Sequence, residues 1–293
     1  MTATGLEAAR ELAAPGDTDT VIFAWADMSS ELYGKAHLHR STGPDGTPQG
    51  AAMAVLFAGH SPAGVLIRGD EPLPDAGWDR LAMSGLATAV DDPLRRWTVT
   101  GGDGARFSLS FEAVGPPAEM SPGVPLARAG RMAGYAQLCR ARGSMLVAGR
   151  ERPVNGLGQR SHTWGNKDWE SLELSRSLGI WFADGSGVLA GAVRPAHAAS
   201  HAEEVIGAAL VGTGGSVVVH EPRLSVTTDR HGRPRRLGLE LWLDEDDVPH
   251  RASGETLCAT TLDVGALRMD CAFVRWHMEG REGVGRYEVL RRA

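Results

Sequence analysis

Turn signals recur about every 8–12 residues along this chain, the spacing of a sandwich or barrel. They include Pro72-Leu-Pro-Asp75, Asp91-Asp-Pro93, Gly101-Gly-Asp-Gly104, Asp184-Gly-Ser-Gly187 and Asp229-Arg-His-Gly-Arg233. The runs between them suit strands. Tyr33 to Arg40 alternates Tyr33, Lys35, His37 and His39 with Gly34, Ala36 and Leu38, the period of a sheet. With 38 Gly and 16 Pro among 293 residues, stretches of helical period are few. Short helices are expected only over 3–14 and 127–134, and the proline-rich 115–126 reads as a loop. Hairpins are expected from Tyr135–Ala141 with Ser144–Ala148, and from Leu172–Phe182 with Val188–Val193. The two halves read as antiparallel meanders of similar length. The expected fold is all-β: two tandem lipocalin-like antiparallel β-barrels with a few short helices. The N-terminal barrel would span 1–165 and the C-terminal barrel 166–293.

Composition removes several classes of function. The net charge is −6 and no basic face forms, which argues against nucleic acid. Lysine occurs only at Lys35 and Lys167. Cys139, Cys258 and Cys271 have neither disulfide nor zinc spacing. No window approaches the roughly 18 apolar residues of a membrane helix. Without a leader-like start, the expected location is the cytoplasm. His37 and His39 lie two apart, but no carboxylate or thiol stands at ligand spacing, so a solvated strand face is expected. His197 and His201 read as surface. The glycine runs lack a phosphate-loop pattern, and Ser161 lacks a nucleophile elbow. No metal or cofactor is expected.

The densest chemistry lies in Asn155-Gly-Leu-Gly-Gln-Arg-Ser-His-Thr-Trp-Gly-Asn-Lys-Asp-Trp169. So polar a run reads as a crossing through a pocket and not as a core strand. His162 could act as a general acid or base, or could hold the crossing by hydrogen bonds. Trp164 and Trp169 could stabilise a cation or pack between domains. Arg160 and Asp168 could pair. Asp168 and Glu173 are the nearest carboxylates in sequence.

Gly158-Gln-Arg-Ser-His-Thr-Trp-Gly-Asn-Lys-Asp-Trp169 resembles the G-x-R-D-H-S-W-G-x-R-D-W signature of bacterial two-domain lipocalin-like proteins. That superfamily includes carotenoid hydratases (hydroxyneurosporene synthases) and, more distantly, tocopherol cyclases and lipocalin-like Diels–Alderases. Tyr135, Gly69-Asp-Glu-Pro-Leu-Pro74 and Gly283-Val-Gly-Arg-Tyr-Glu288 fit on the flanks. The resemblance implies a cofactor-independent enzyme binding an apolar substrate between its barrels, as a monomer or homodimer. By motif match, His162, Trp164 and Asp168 would be catalytic. Arg160, Asn166, Trp169, Tyr135 and Glu173 would bind substrate. Ser161 stands where the signature has Asp and cannot replace it as a proton source. That favours cyclisation of a terpenoid or polyketide polyene by substrate shaping. Hydration or isomerisation of an isoprenoid alkene is the alternative, and a carrier without turnover is another. Lys167 replaces an Arg, keeping the charge without the bidentate fork.

Overall fold

A computed structural model describes residues 3–43, 45–244 and 248–293, with the backbone alone for Ala3, Thr4 and His201. A short helix α1 (Ala3–Glu7) leads into β1 (Thr18–Asp27), β2 (Leu32–Thr42), β3 (Pro48–Ala58) and β4 (Ser61–Pro72). Then come β5 (Arg80–Met83), β6 (Leu86–Asp92), β7 (Arg96–Gly101), β8 (Phe107–Ala113) and β9 (Ala118–Met120). After α2 (Pro125–Gly130), β10 (Met132–Val147) and β11 (Arg150–Gly165) complete one antiparallel sheet. Its order is β4-β3-β2-β1-β11-β10-β8-β7-β6-β5, with β9 also on β10.

The second sheet comprises β12 (Leu172–Phe182), β13 (Gly187–Pro195), β14 (Val205–Gly212), β15 (Gly215–Val218) and β16 (Glu221–Thr228). It continues with β17 (Pro234–Trp242), β18 (His250–Val264), β19 (Leu267–Met278) and β20 (Arg281–Arg292). Its order is β15-β14-β13-β12-β20-β19-β18-β17-β16. In both sheets a late strand returns beside the first: β11 pairs with β1, and β20 with β12. Each sheet curls into a barrel, as the turn spacing predicts. Leu66 of β4 shares one core with Leu81 and Leu86 of β5 and β6, across the sheet's two ends.

Both barrels are filled by their own side chains. Val21, Phe23, Trp25, Trp97 and Phe111 pack inside the first, and Leu178, Ile180, Val274, Trp276 and Tyr287 inside the second. A third apolar cluster joins the barrels. Ala24, Tyr33, Val55 and Phe57 of the first sheet meet Trp181, Met269, Cys271 and Phe273 of the second. The alternation in β1 thus has two apolar faces. Val21, Phe23 and Trp25 fill the barrel, while Ala24 and Ala26 face its neighbour.

The largest departure concerns the dense polar segment. It is not a crossing: residues 150–165 form the sixteen-residue strand β11, paired on both edges by β1 and β10. A strand tolerates such polarity when inward groups find buried partners, and these do. Residues 135–148 are likewise no hairpin, because β10 runs unbroken from Met132 to Val147. Gly143 carries it through with φ +146°, where a Cβ would sit 2.0 Å from the Ser108 carbonyl oxygen. The turn falls instead at Ala148-Gly149, both in left-handed backbone (φ 49° and 76°).

The helices are shorter than expected. Pro125 opens α2 at its first turn, and Arg131, left-handed at φ 50°, ends it before β10. The 115–126 loop includes β9. Within the Ser41–Pro48 connection, Pro44 lies outside the described residues. The first sheet ends at Gly165 and the second begins at Leu172.

Candidate functional site

Along β11 the side chains divide by parity. Gly158, Arg160, His162 and Trp164 turn into the first barrel, and Gln159, Ser161 and Thr163 turn towards the second. The N-terminal segment supplies the partners of the inward set. His162 is fully buried; its Nε2 meets Asp19 Oδ1 at 2.6 Å and its Nδ1 meets the Leu6 carbonyl at 2.9 Å. The other Asp19 oxygen accepts from the Arg10 amide (2.8 Å), Arg40 Nη1 (2.8 Å) and Trp78 Nε1 (2.9 Å). Burial works to raise the Asp19 carboxyl, but His162, the Arg10 amide and Arg40 together hold it below the usual carboxylate range.

Arg160 is equally enclosed. Its Nη2 donates to Glu7 Oε2 at 2.5 Å and its Nη1 to the Tyr135 hydroxyl, and its guanidinium lies 4.5 Å over Trp97. Glu7 Oε1 accepts from the Leu94 amide and Trp97 Nε1, both at 2.9 Å. Burial pushes the Tyr135 phenol up. Trp164 is half-buried beneath Arg10, whose guanidinium carbon is 3.8 Å from the ring centre.

The sequence candidates therefore separate in space. Tyr135, Arg160, His162 and Trp164 gather inside the first barrel and not on a hollow shared by the two. Asp168 caps a turn, accepting from the Glu170 and Ser171 amides, and stands 3.8 Å from Arg131; it does not pair with Arg160. Glu173 is an exposed partner of Arg194. Asn166 donates to the Pro15 carbonyl and to Asp17. Trp169 lies under the Lys167 amine at 5.0 Å. The carboxylates beside Arg160 and His162 are Glu7 and Asp19, far from them in sequence.

A second polar assembly lies in the seam between the barrels. The residues opposite Asp19, Val21 and Phe23 in register put Lys35, His37 and His39 of β2 on the outward face. That face is covered by the second barrel and is not the solvated strand expected from the alternation. Lys35 forms an ion pair with Glu288 of β20, and the next inter-barrel position holds Arg286. Arg286 Nη1 donates to Ser177 Oγ at 2.6 Å and stands 3.8 Å from Glu288. Lys167 donates to Ser175 Oγ at 3.0 Å. His39 Nδ1 shares a hydrogen bond with Thr20 Oγ1 at 2.7 Å.

One end of the seam is shut. Tyr33 stacks on Phe273 with ring centres 5.5 Å apart, and Trp181 donates to Gln159 at 3.2 Å. Towards the other end, Ile22, His37, Thr163, Ser175, Ser177 and Leu290 each keep part of their surface open. Yet the dense protein around these positions depresses the cations and imidazoles. Burial holds His37 well below the ordinary imidazole value, with Lys35, His39, Arg286 and Lys167 pressing the same way. Burial takes His39 to about 4, Lys167 to about 8 and Arg286 to about 10. It pushes Lys35 to about 7, a shift that the Glu288 contact opposes. Lys35, Glu288 and Arg286 are buried at the centre of this face. His37 Nε2 and Arg286 Nε are buried there without a hydrogen-bond partner.

Among the described residues, no three His, Cys, Asp or Glu side chains gather as metal ligands. His37 and His39 stand edge to face, ring centres 6.1 Å apart. No described helix is long and apolar enough to cross a membrane. A hollow of about 370 Å³ at one end of the second barrel holds Asp263, Arg268, Asp270 and Arg291, but Arg291 and Asp270 already satisfy each other.

The family DUF7064, described as a domain of unknown function, matches residues 7–293. The chain belongs to that family. No curated protein matches this DUF7064 chain significantly in sequence. Solved structures share its two-barrel fold. A putative AttH from Nitrosomonas europaea superimposes with a TM-score of 0.69 at 13% identity, covering 94% of this chain and 92% of the other. Kievitone hydratase from Nectria haematococca gives 0.65 at 10% identity, covering 98% and 94%. CghA in complex with Sch210972 gives 0.63 at 12% identity, covering 99% and 97%. The fold resemblance stated from the motif therefore holds along almost the whole chain.

Proposed function

We propose that this DUF7064 protein is a cofactor-independent enzyme that works on an apolar small molecule held in the seam between its barrels. One observation carries the reading. Apolar side chains fill both barrels, while the seam keeps partly open polar groups, His37 among them. Packing alone does not call for polar atoms at the joint between two filled apolar cores. Such atoms suit a site completed by its ligand.

Cyclisation of a polyene is the reaction favoured. An alkene protonation needs a ready acid, and Glu288 is engaged with Lys35 while Ser161 offers only a hydroxyl. A shaped recess can instead hold a flexible chain in a reactive conformation. Hydration is the second reading, supported by the fold shared with kievitone hydratase. In either case the role of Tyr135, Arg160, His162 and Trp164 is positional. They lock β11, whose other face presents Ser161 and Thr163 to the seam.

The test is turnover by the purified chain, without added metal or nucleotide, on a panel of polyketide and isoprenoid polyenes followed by mass spectrometry. Cyclisation gives a product isomeric with its substrate, and hydration adds one water. His37→Ala and Ser177→Ala should each remove most of the product while the chain stays folded. Unchanged turnover in both variants overturns the seam as the site. Tight binding with no conversion of any candidate makes the protein a carrier.

A further inference from the structure

The joint between the barrels has two unlike halves. In the apolar half, Tyr33 of β2 and Phe57 of β3 pack on Phe273 of β19, with Trp181 of β12 in the same cluster. The charged half gathers around His37. Lys35 and His39 of β2, Arg286 of β20 and Lys167 of the link between the barrels each press that imidazole towards its neutral form. Glu288, the carboxylate of this half, pairs with Lys35 and stands 3.8 Å from Arg286. β12 adds the Ser175 and Ser177 hydroxyls, which accept from Lys167 and Arg286. β19 adds the Cys271 thiol, which burial keeps protonated. β1 and β3 set Ile22 and Met53 beside His37 in register, and neither titrates. Asp19, tied to His162 and Arg40 inside the first barrel, favours a proton on His39. His37 Nε2 is buried without a hydrogen-bond partner, so a proton added there meets no acceptor.

We infer that the charged half of this joint is an acid-operated latch: a proton on His37, and then one on His39, drives β2 away from β20 and β12 while the Tyr33–Phe273 half holds as the hinge. Lys35, Lys167 and Arg286 have values of about 7, 8 and 10. As the pH falls below these, each carries its charge, and the new imidazolium joins a face that is already cationic. In the closed joint His37 sits well below the ordinary imidazole value of 6.5, and His39 at about 4. In water both return to about 6.5. The open form therefore takes up protons first, and falling pH favours it. From pH 6.5 to 5.5 the open-to-closed ratio rises about fivefold for one histidine and about 30-fold for both. Near neutral pH the imidazoles are uncharged and the latch is shut. A molecule held in the seam, on the reading proposed above, leaves by the same step.

Three buried thiols report the step without any added label site. Cys271 lies in the charged half near Lys35 and Arg286, Cys258 pairs with Phe273 in the apolar half, and Cys139 belongs to the core of the first barrel. The full chain is treated with 4,4′-dithiodipyridine, which reacts with thiols in acid, and the modified sites are read by peptide mass spectrometry. Each rate is divided by that of the same thiol in the urea-unfolded chain at the same pH. Between pH 6.5 and 5.5 the Cys271 ratio should rise roughly 5–30-fold, the Cys258 ratio less, and the Cys139 ratio should stay flat. His37→Gln should divide the Cys271 rise by about 5, and His37→Asn serves if that variant does not fold. A Cys271 ratio indifferent to pH, or a rise that survives loss of the His37 imidazole, overturns the latch. Cys139 rising in step with Cys271 means that the whole chain unfolds, and overturns it too. Cys258 rising as fast as Cys271 overturns the hinge, because the barrels then part along the entire joint. None of these rates needs turnover, so a chain without enzymatic activity gives the same result.

Discussion

Removing the Asp19 carboxylate should be among the costliest single changes in the first barrel. Asp19 is fully buried and takes four donors: His162, the Arg10 amide, Arg40 and Trp78. Asp19→Ala leaves Arg40 without its counter-ion and two aromatic N–H groups without an acceptor. Breaking a buried pair from one side costs about 3–5 kcal/mol, and unsatisfied buried donors cost about 1–3 kcal/mol each. These overlap, because the donors share one carboxylate, so the expected loss is about 4 kcal/mol. Asp19→Asn keeps one acceptor oxygen and should lose about half as much. Urea unfolding followed by tryptophan fluorescence measures the effect, since Trp78 and Trp164 border the site. In a double-mutant cycle, adding His162→Ala to Asp19→Ala should cost less than the sum of the single losses. A loss below about 1 kcal/mol for Asp19→Ala, or strict additivity in the cycle, refutes the anchoring role given to the motif histidine.

Other outcomes follow from the same geometry. Lys35→Met should cost about 3–5 kcal/mol by stranding Glu288, whereas Lys35→Met with Glu288→Leu should recover most of that in the same urea assay. Stability should fall as the pH drops from about 6.5 towards 4. His39 has its folded value depressed to about 4 from 6.5, so the unfolded chain binds the extra proton first and this group alone costs the native state at most about 3 kcal/mol across that window, with His37 acting in the same direction. His39→Gln should flatten that part of the pH–stability curve, and an unchanged slope counts against a neutral imidazole in the seam. Gly34→Ala should destabilise by about 1–3 kcal/mol, because its Cβ would meet the Trp25 ring at 2.2 Å; a thermal shift near zero means the indole moves freely.

Much of this architecture could be read from local patterns. The Leu172–Phe182 and Val188–Val193 runs pair as expected, because Asp184-Gly-Ser-Gly187 marks the reversal between two apolar segments. The alternation of Tyr33 to Arg40 correctly marked a strand, but not what covers its polar face. Lys35, His37 and His39 look solvated until β20 is laid across them, and no local window contains β20. The polar motif misled for the same reason. Its partners Asp19 and Glu7 are 143 and 153 positions away, so its charges looked unpayable inside a sheet. One local clue was available: Asp19 shares parity with Val21, Phe23 and Trp25, which marks a carboxylate pointing into an aromatic core.

That long separation also bears on synthesis. Leu6 and Glu7 leave the ribosome about 150 residues ahead of two groups that hold them, His162 and Arg160. Until β11 emerges, β1 lacks one of its two neighbours and the N-terminal segment lacks Arg160 and His162. The first barrel must then assemble in one late event, and contacts so distant along a chain form slowly.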